Sequence, residues 1–240
     1  MTTARDRVPA WRHVFKLDPD RPIGDEELGR ICTSGTDAIM VGGSTGVTYT
    51  NTSELLGRIR KYEIPCVLEV SELGAVVPGF DRYLIPMVLN SSDSAWVVGQ
   101  HRQGIERYGD YMPWDLLLAE GYIVLNGDSA VARLTEADVR LDAEGAAAYA
   151  QVADKLMRLP IVYVEYSGTF GDMETVARIR ESVEHAALFY GGGICGPEEA
   201  RKAAAVSDTV VVGNIVYRDL EAALATVEAV RTEASAEWKN

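Results

Sequence analysis

Three apolar, β-branched runs in the last third of the chain each break into glycine or a small polar residue: Ile161 to Gly168 (IVYVEYSG), Ala187 to Gly193 (ALFYGGG) and Thr209 to Asn214 (TVVVGN). Short runs that are apolar throughout, rather than alternating, describe strands buried on both faces of a parallel sheet. A helical stretch follows each of them, so the repeating unit is a βα pair. Glycine at a strand end removes the Cβ, so backbone N–H groups can close on phosphate oxygens, and the next helix adds its positive end. The pattern constrains both the fold and the class of ligand.

Further strand candidates lie at His13–Asp18, Ala38–Gly43, Cys66–Val70, Tyr83–Leu89 and Tyr122–Asn126. With the three above they make eight, the number that closes a barrel, and 240 residues is close to the roughly 250 typical of that fold. The expected architecture is α/β, a single (β/α)8 TIM-like barrel with a core from about residue 11 to 230. Helical signals are read from DEELGRICTSG, NTSELLGRIRKYE, EGAAAYAQVADKLMR, DMETVARIRESVE, PEEARKAAA and DLEAALATVEAVRTE, the fifth opening on Pro197. SELGAVVPGFD, after the third strand, is broken by Pro78 and Gly79, so the barrel is expected to be irregular there. Gly127 to Leu141 reads as a loop elaboration, and the tail from Ala234 to Asn240 is expected to fray.

A net charge of -13 and a pI near 4.7 exclude a general nucleic-acid surface, which needs clustered Lys and Arg. Any phosphate must be held locally. Cys32, Cys66 and Cys195 are scattered and form no CxxC pair, so neither a disulfide framework nor a zinc site is indicated, and a reducing cytoplasm fits. No window approaches ~20 uninterrupted apolar residues and the N-terminal stretch has no apolar h-region, so neither membrane spanning nor secretion is expected.

Chemistry in such a barrel sits at the carboxyl ends of the strands. There the chain places Lys16 and Asp18, then Gly42, Gly43 and Ser44, then Glu69, then Glu165 to Gly168, Gly191 to Gly193, and Gly213 with Asn214. Glycine-rich seventh and eighth ends make a phosphate pocket, and Lys16 adds a point charge from the adjoining first strand. His13, at a strand start, reads as structural. His101 and His185 read as exposed helix residues and build no metal cluster. Cys195 has no paired base.

The ordered blocks FKLDPD, VGGSTGVT, CVLEVS, VPGFDRYLIPMVLNS, EGYIVLN, LTEAD, YVEYSG, FYGGGI and VVVGNIVY resemble the geranylgeranylglyceryl phosphate synthase family, and within it the bacterial, heptaprenyl-using branch. The resemblance spans about Trp11 to Val230. It implies a Mg²⁺-dependent transfer of a polyprenyl group from its diphosphate to the 3-hydroxyl of sn-glycerol 1-phosphate, giving an ether lipid precursor. It also implies a homodimer. Carried over by position, Lys16, Tyr163, Val164, Glu165, Tyr166, Ser167, Gly168, Gly193, Gly213 and Asn214 match the glycerol phosphate site. Asp18 matches the magnesium ligand and Ser44 a position with the metal and diphosphate, while the family's frequent acidic residue after GGS is Thr45 here.

The chemistry accounts for these residue types. An allylic C–O bond ionises once its diphosphate is neutralised, and Mg²⁺ held through one carboxylate (Asp18) and substrate oxygens does this. The acceptor hydroxyl must lose a proton to a nearby carboxylate, for which Glu165 is the candidate. Tyr166 is the candidate to hydrogen-bond the acceptor or shield the cation with its ring. SDSAWVVGQHRQGIERYG is the candidate wall of a prenyl groove, where Gly99 and Gly104 each cost ~1 kcal/mol in a helix. The resemblance assigns Gly104 to a position at which a small residue admits a longer chain. A lipidic tail implies transient contact of the barrel mouth with a membrane surface. Two other readings share the phosphate pocket: a phosphosugar isomerase or synthase, and a non-catalytic phosphometabolite-binding subunit.

Overall fold

The computed structural model describes residues 8–237, with side chains as far as 233. Eight parallel strands follow one another in sequence order around a closed barrel: β1 His13–Leu17, β2 Ala38–Val41, β3 Cys66–Glu69, β4 Arg82–Val88, β5 Leu117–Val124, β6 Ile161–Glu165, β7 Ala187–Gly191 and β8 Thr209–Val212. The ring closes where His13, Val14 and Phe15 pair with Val210, Val211 and Val212. This is the (β/α)8 barrel expected from the apolar runs.

Alternation along each strand sorts side chains between two cores. Val14, Met40, Val67, Leu84, Leu118, Tyr122, Tyr163, Phe189 and Val211 fill the barrel interior. Phe15, Leu17, Ile39, Leu68, Ile123, Val162, Val164 and Tyr190 pack outward against the helices. Parity therefore sends Lys16, Glu69, Glu120 and Glu165 inward. The glycine-bearing tails of the runs leave the strand ladder: β6 stops at Glu165 and β7 at Gly191, so the residues beyond them form loops on the carboxyl face. β5 starts at Leu117 rather than at the expected Tyr122, because Glu120 and Gly121 interrupt its apolar run.

The helices are α1 Asp25–Cys32, α2 Tyr49–Ile59, α3 Gln100–Tyr108, α4 Ala130–Thr135, α5 Ala143–Gln151, α6 Met173–Ser182, α7 Pro197–Ala204 and α8 Leu220–Glu237. Side-chain caps fix several of their starts: Thr48 and Asn51 exchange reciprocal bonds at α2, and Asp172 accepts from the backbone of Glu174 and Thr175 at α6. Between β3 and β4 there is only a 3-10 turn at Leu73–Ala75, the irregularity expected there. A π-helical turn, Ala95–Gly99, leads into α3. Gly127 to Leu141 is not all loop. It contains α4, which Ser129 caps by accepting from the Ala132 N–H at 3.1 Å. α8 stays helical through Glu237, into the tail expected to fray, while residues 238–240 lie outside the described residues.

His13 is buried, with Nδ1 2.8 Å from Thr36 Oγ1 and Nε2 2.8 Å from Thr226 Oγ1. Burial, helped by the Arg231 charge, pushes its pKa down to about 3, so the ring is neutral. Two expectations for histidines are corrected. His101 is half-buried, its Nε2 2.9 Å from the Pro86 carbonyl, because α3 lies against β4. His185 is exposed but sits in the bend between α6 and β7, since Val183 already has extended backbone. Among the described residues, no helix is long and apolar enough to cross a membrane.

Candidate active site

A cavity opens at the carboxyl face of the barrel with two chemically different halves. Lys16, Ser44, Glu69, Tyr122, Glu165 and Ser167 line one side, and Pro86, Val88, Trp96, Val131 and Leu134 the other. A cleft at the opposite face, between Trp11, Arg60, Asp81 and Arg82, is built on an Arg60–Asp81 ion pair at 2.9 Å and gathers no comparable chemistry.

Lys16 rises from β1 and its Nζ lies 2.5 Å from Glu69 Oε2. Burial opposes the ammonium charge, but Glu69 and Glu165 outweigh it and hold the Lys16 pKa above the ordinary value. Glu165 ends β6 and accepts a hydrogen bond from the Tyr122 hydroxyl at 2.7 Å. Burial raises its pKa, against the pull of Lys16, Tyr122 and Ser167. A carboxylate tuned upward in this way suits proton abstraction near neutral pH. Beneath it the Tyr122 and Tyr163 rings stack with centroids 4.6 Å apart.

The alternation along β6 corrects two expected roles. Tyr166 has the outward parity: its ring packs on Gly171 near Tyr190, its Cβ and backbone lie against Gly192, and its hydroxyl interacts with Asp172 and Thr175 at the start of α6. It does not face the barrel axis. Val164 is likewise buried in the outer core, so only its backbone belongs to the strand end. Tyr163 does point inward, but its buried hydroxyl lacks a hydrogen-bond partner and sits where a Cβ on Gly191 would come within 2.3 Å.

The glycines of the phosphate pocket have different causes. Gly193 has φ +55, and a Cβ there would come within 2.0 Å of the Phe170 nitrogen, so close packing of the β6–α6 loop demands glycine. Gly213 meets no such demand, since a Cβ would find nothing nearer than the Lys16 carbonyl oxygen at 3.6 Å. Its missing side chain keeps space open beside Lys16. Asn214 accepts from Arg21 Nη1 at 2.9 Å, and the Arg21 guanidinium lies 3.8 Å over the Tyr217 ring. Gly168 has φ +90, and the neighbouring Ser167 carbonyl accepts from Asn126 at 2.6 Å.

Asp18 stands at the rim, half-buried, with Oδ1 accepting from the Asp20 N–H at 3.0 Å and the carboxyl group lying over the backbone of Gly43. Burial raises its pKa and outweighs the support that the Asp20 N–H, Arg21 and Lys16 give the anion. A rim carboxylate in need of a cation, facing an exposed Ser44 across a glycine loop, fits a hard ion such as Mg²⁺. Among the described residues no group of three His, Cys, Asp or Glu side chains is placed to hold a metal ion, so such an ion would draw its other ligands from substrate and water. Gly104 is buried in α3, where a Cβ would touch Leu73 and Met112 at 3.5 and 3.9 Å, while Gly99 abuts the Ser94 carbonyl in the π-helical turn. Neither lines the cavity itself.

The PcrB family profile matches residues 6–231, nearly all of the closed barrel just described. The chain belongs to the PcrB family. It is 58% identical over 221 residues to the heptaprenylglyceryl phosphate synthase of Brevibacillus brevis, covering 92% of this chain and 96% of that one. The enzyme of the same name from Geobacillus thermodenitrificans is 53% identical, with 94% and 95% covered. Among solved structures, (S)-3-O-geranylgeranylglyceryl phosphate synthase from Thermoplasma acidophilum in complex with sn-glycerol-1-phosphate superposes with a TM-score of 0.81, at 27% identity and with 96% and 98% covered. The family resemblance read from the nine ordered blocks is borne out.

Three residues of this PcrB-family site escaped the sequence reading. Tyr122 and Glu120 were hidden because β5 starts earlier than its apolar run suggests; with the strand begun at Leu117, period-2 alternation points Leu118, Glu120, Tyr122 and Val124 to the axis. Arg21 follows FKLDPD in an exposed loop, and only the Tyr217 ring and Asn214, both remote in sequence, show where it is held.

Proposed function

We propose that this PcrB-family protein transfers a long polyprenyl group, specifically heptaprenyl, from its diphosphate to the 3-hydroxyl of sn-glycerol 1-phosphate, with Mg²⁺. The observation that carries the reading is the two-sided cavity: a half-buried lysine and a hydrogen-bonded carboxylate on one side, an apolar wall on the other. Lys16, the open space at Gly213, and Asn214 with Arg21 would hold the glycerol phosphate. Glu165 would take the proton from the 3-hydroxyl as its oxygen bonds to the allylic carbon and the bond from that carbon to diphosphate breaks. Tyr122 keeps the Glu165 carboxylate turned to the acceptor. Mg²⁺ bound at Asp18 and Ser44 would supply neutralisation of the diphosphate leaving group.

The prenyl tail would leave along Trp96, Val131 and Leu134 toward α3, with the small Gly104 leaving room for the longer chain. Val98 and Leu134, 55% and 47% exposed, give this side of the mouth an apolar rim suited to transient contact with a membrane surface. The proposed setting is the cytoplasm, peripheral to the membrane, and the proposed assembly is a homodimer, testable by sedimentation.

Purified protein, Mg²⁺, labelled sn-glycerol 1-phosphate and an equimolar set of polyprenyl diphosphates from three to seven units should give a labelled ether product dominated by the seven-unit chain. That product should vanish without Mg²⁺. Absence of product with every chain would refute the reading.

A further inference from the structure

Glu120 is a carboxyl group of the barrel interior that the proposed chemistry leaves without a task. It stands on β5 between Pro86 of β4 and Ile161 of β6, fully buried, and neither of its oxygens has a hydrogen-bond partner. The groups facing it are Lys16 from β1, Glu69 from β3, Tyr122 from its own strand, and Tyr163 and Glu165 from β6. β2, β4, β7 and β8 turn Met40, Leu84, Phe189 and Val211 inward. Three carboxyl groups thus share the ammonium of Lys16, whose nearest partner is Glu69.

An ionised carboxylate with two orphaned oxygens in an apolar interior is far costlier than the neutral acid. It would also add negative charge beside a pocket that must admit a phosphate dianion. We propose that Glu120 is a positioning residue, carried as the neutral carboxylic acid, that leaves Lys16 free to be shared between Glu69 and the phosphate of the acceptor. This inference rests on the functional reading above. Burial pushes the Glu120 carboxyl well above the usual range, and Glu69 pushes it further while Lys16 opposes.

The consequence is a binding constant that depends on pH where neither the ligand nor the lysine titrates. Between about pH 7.5 and 9.5 glycerol phosphate is already a dianion and Lys16, with its raised pKa, stays charged. Deprotonation of Glu120 as the pH rises draws Lys16 inward and repels the phosphate. Calorimetric titration of sn-glycerol 1-phosphate into the full chain should give a Kd that rises roughly fivefold or more once Glu120 is ionised. The same titration of Glu120→Gln, permanently neutral, should give a profile flat within about twofold.

Infrared spectra at about pH 7.5 should show the C=O stretch of a protonated carboxylic acid, kept in Glu165→Gln and lost in Glu120→Gln. Absence of that band in the wild type, or a Glu120→Gln profile that rises with pH as steeply as the wild type's, overturns the inference; two flat profiles with the band present mean that the acid stays neutral throughout and support it. Failure of both proteins to bind glycerol phosphate at any pH refutes the acceptor reading and takes this inference with it. If Glu120→Gln does not fold, the band in Glu165→Gln decides: its presence supports the neutral acid and its absence overturns it.

Discussion

Two of the places where the protein buries titratable groups follow opposite rules. Between β1 and α8, neutral His13 is hydrogen-bonded at both ring nitrogens, by Thr36 and Thr226. Inside the barrel, Glu69, Glu120 and Glu165 crowd one lysine, and Glu69 Oε1, both Glu120 oxygens and the Tyr163 hydroxyl have no partner. A buried polar group kept for stability is satisfied, because an orphan costs about 1–3 kcal/mol. A cluster left unsatisfied at the floor of a cavity is held for something that enters it.

The largest break in this contrast comes from the barrel side. Glu165→Gln should lower kcat by about 10²–10⁴ while glycerol phosphate still binds, as single-turnover product formation and calorimetry can show together. Equal losses in binding and turnover would reduce Glu165 to a structural partner of Tyr122. Lys16→Met removes the cation shared by three buried carboxyls, so it should cost about 3–5 kcal/mol in urea denaturation as well as abolishing acceptor binding.

On the His13 side the prediction is one of pH. The ring is held neutral with a pKa of about 3, below the unfolded 6.5, so the unfolded chain binds a proton the folded one refuses. Stability is full above pH 6.5 and should fall as pH drops toward about 3, by on the order of 4 kcal/mol. Glu120 has the opposite sign: its raised pKa makes the folded state hold a proton the unfolded chain releases, so stability is lost as pH rises above the ordinary carboxyl range. Denaturation midpoints of His13→Gln and Glu120→Gln across pH should each flatten one limb, and a shared limb would dissolve the distinction.

Smaller effects separate the glycines. Gly213→Ala has room for its Cβ and should fold normally, yet weaken glycerol phosphate binding by about tenfold in calorimetry. Gly104→Ala meets Leu73 and Met112 only at van der Waals distance and should raise stability by up to about 1 kcal/mol through helix propensity. A preference for shorter prenyl chains in the same variant, read by mass spectrometry, would mark that space as part of the groove.

Much of the architecture was legible because buried parallel strands announce themselves as apolar runs that glycine ends. Tails such as YSG and GGG were read as strand and are loops, since a ladder ends where the backbone turns to pack Gly193 against Phe170. At the candidate site, the placement of Lys16, Asp18, Ser44, Glu165 and Gly213 was legible from strand ends. The direction of Tyr166 was not, because period-2 alternation turns it away from its neighbour Glu165.

By itself the sequence determined the number and order of the strands, the helix starts at Asp172 and Pro197, and the family, all of which depend on local pattern and spacing. Only the tertiary structure decided which side of β6 faces the axis, that β5 contributes Glu120 and Tyr122, and that Glu69 claims the lysine proposed for phosphate. The physical reason is that charge and hydrogen-bond balance inside a closed barrel depends on residues from β1, β3, β5 and β6 meeting at one point. No window of sequence contains that meeting.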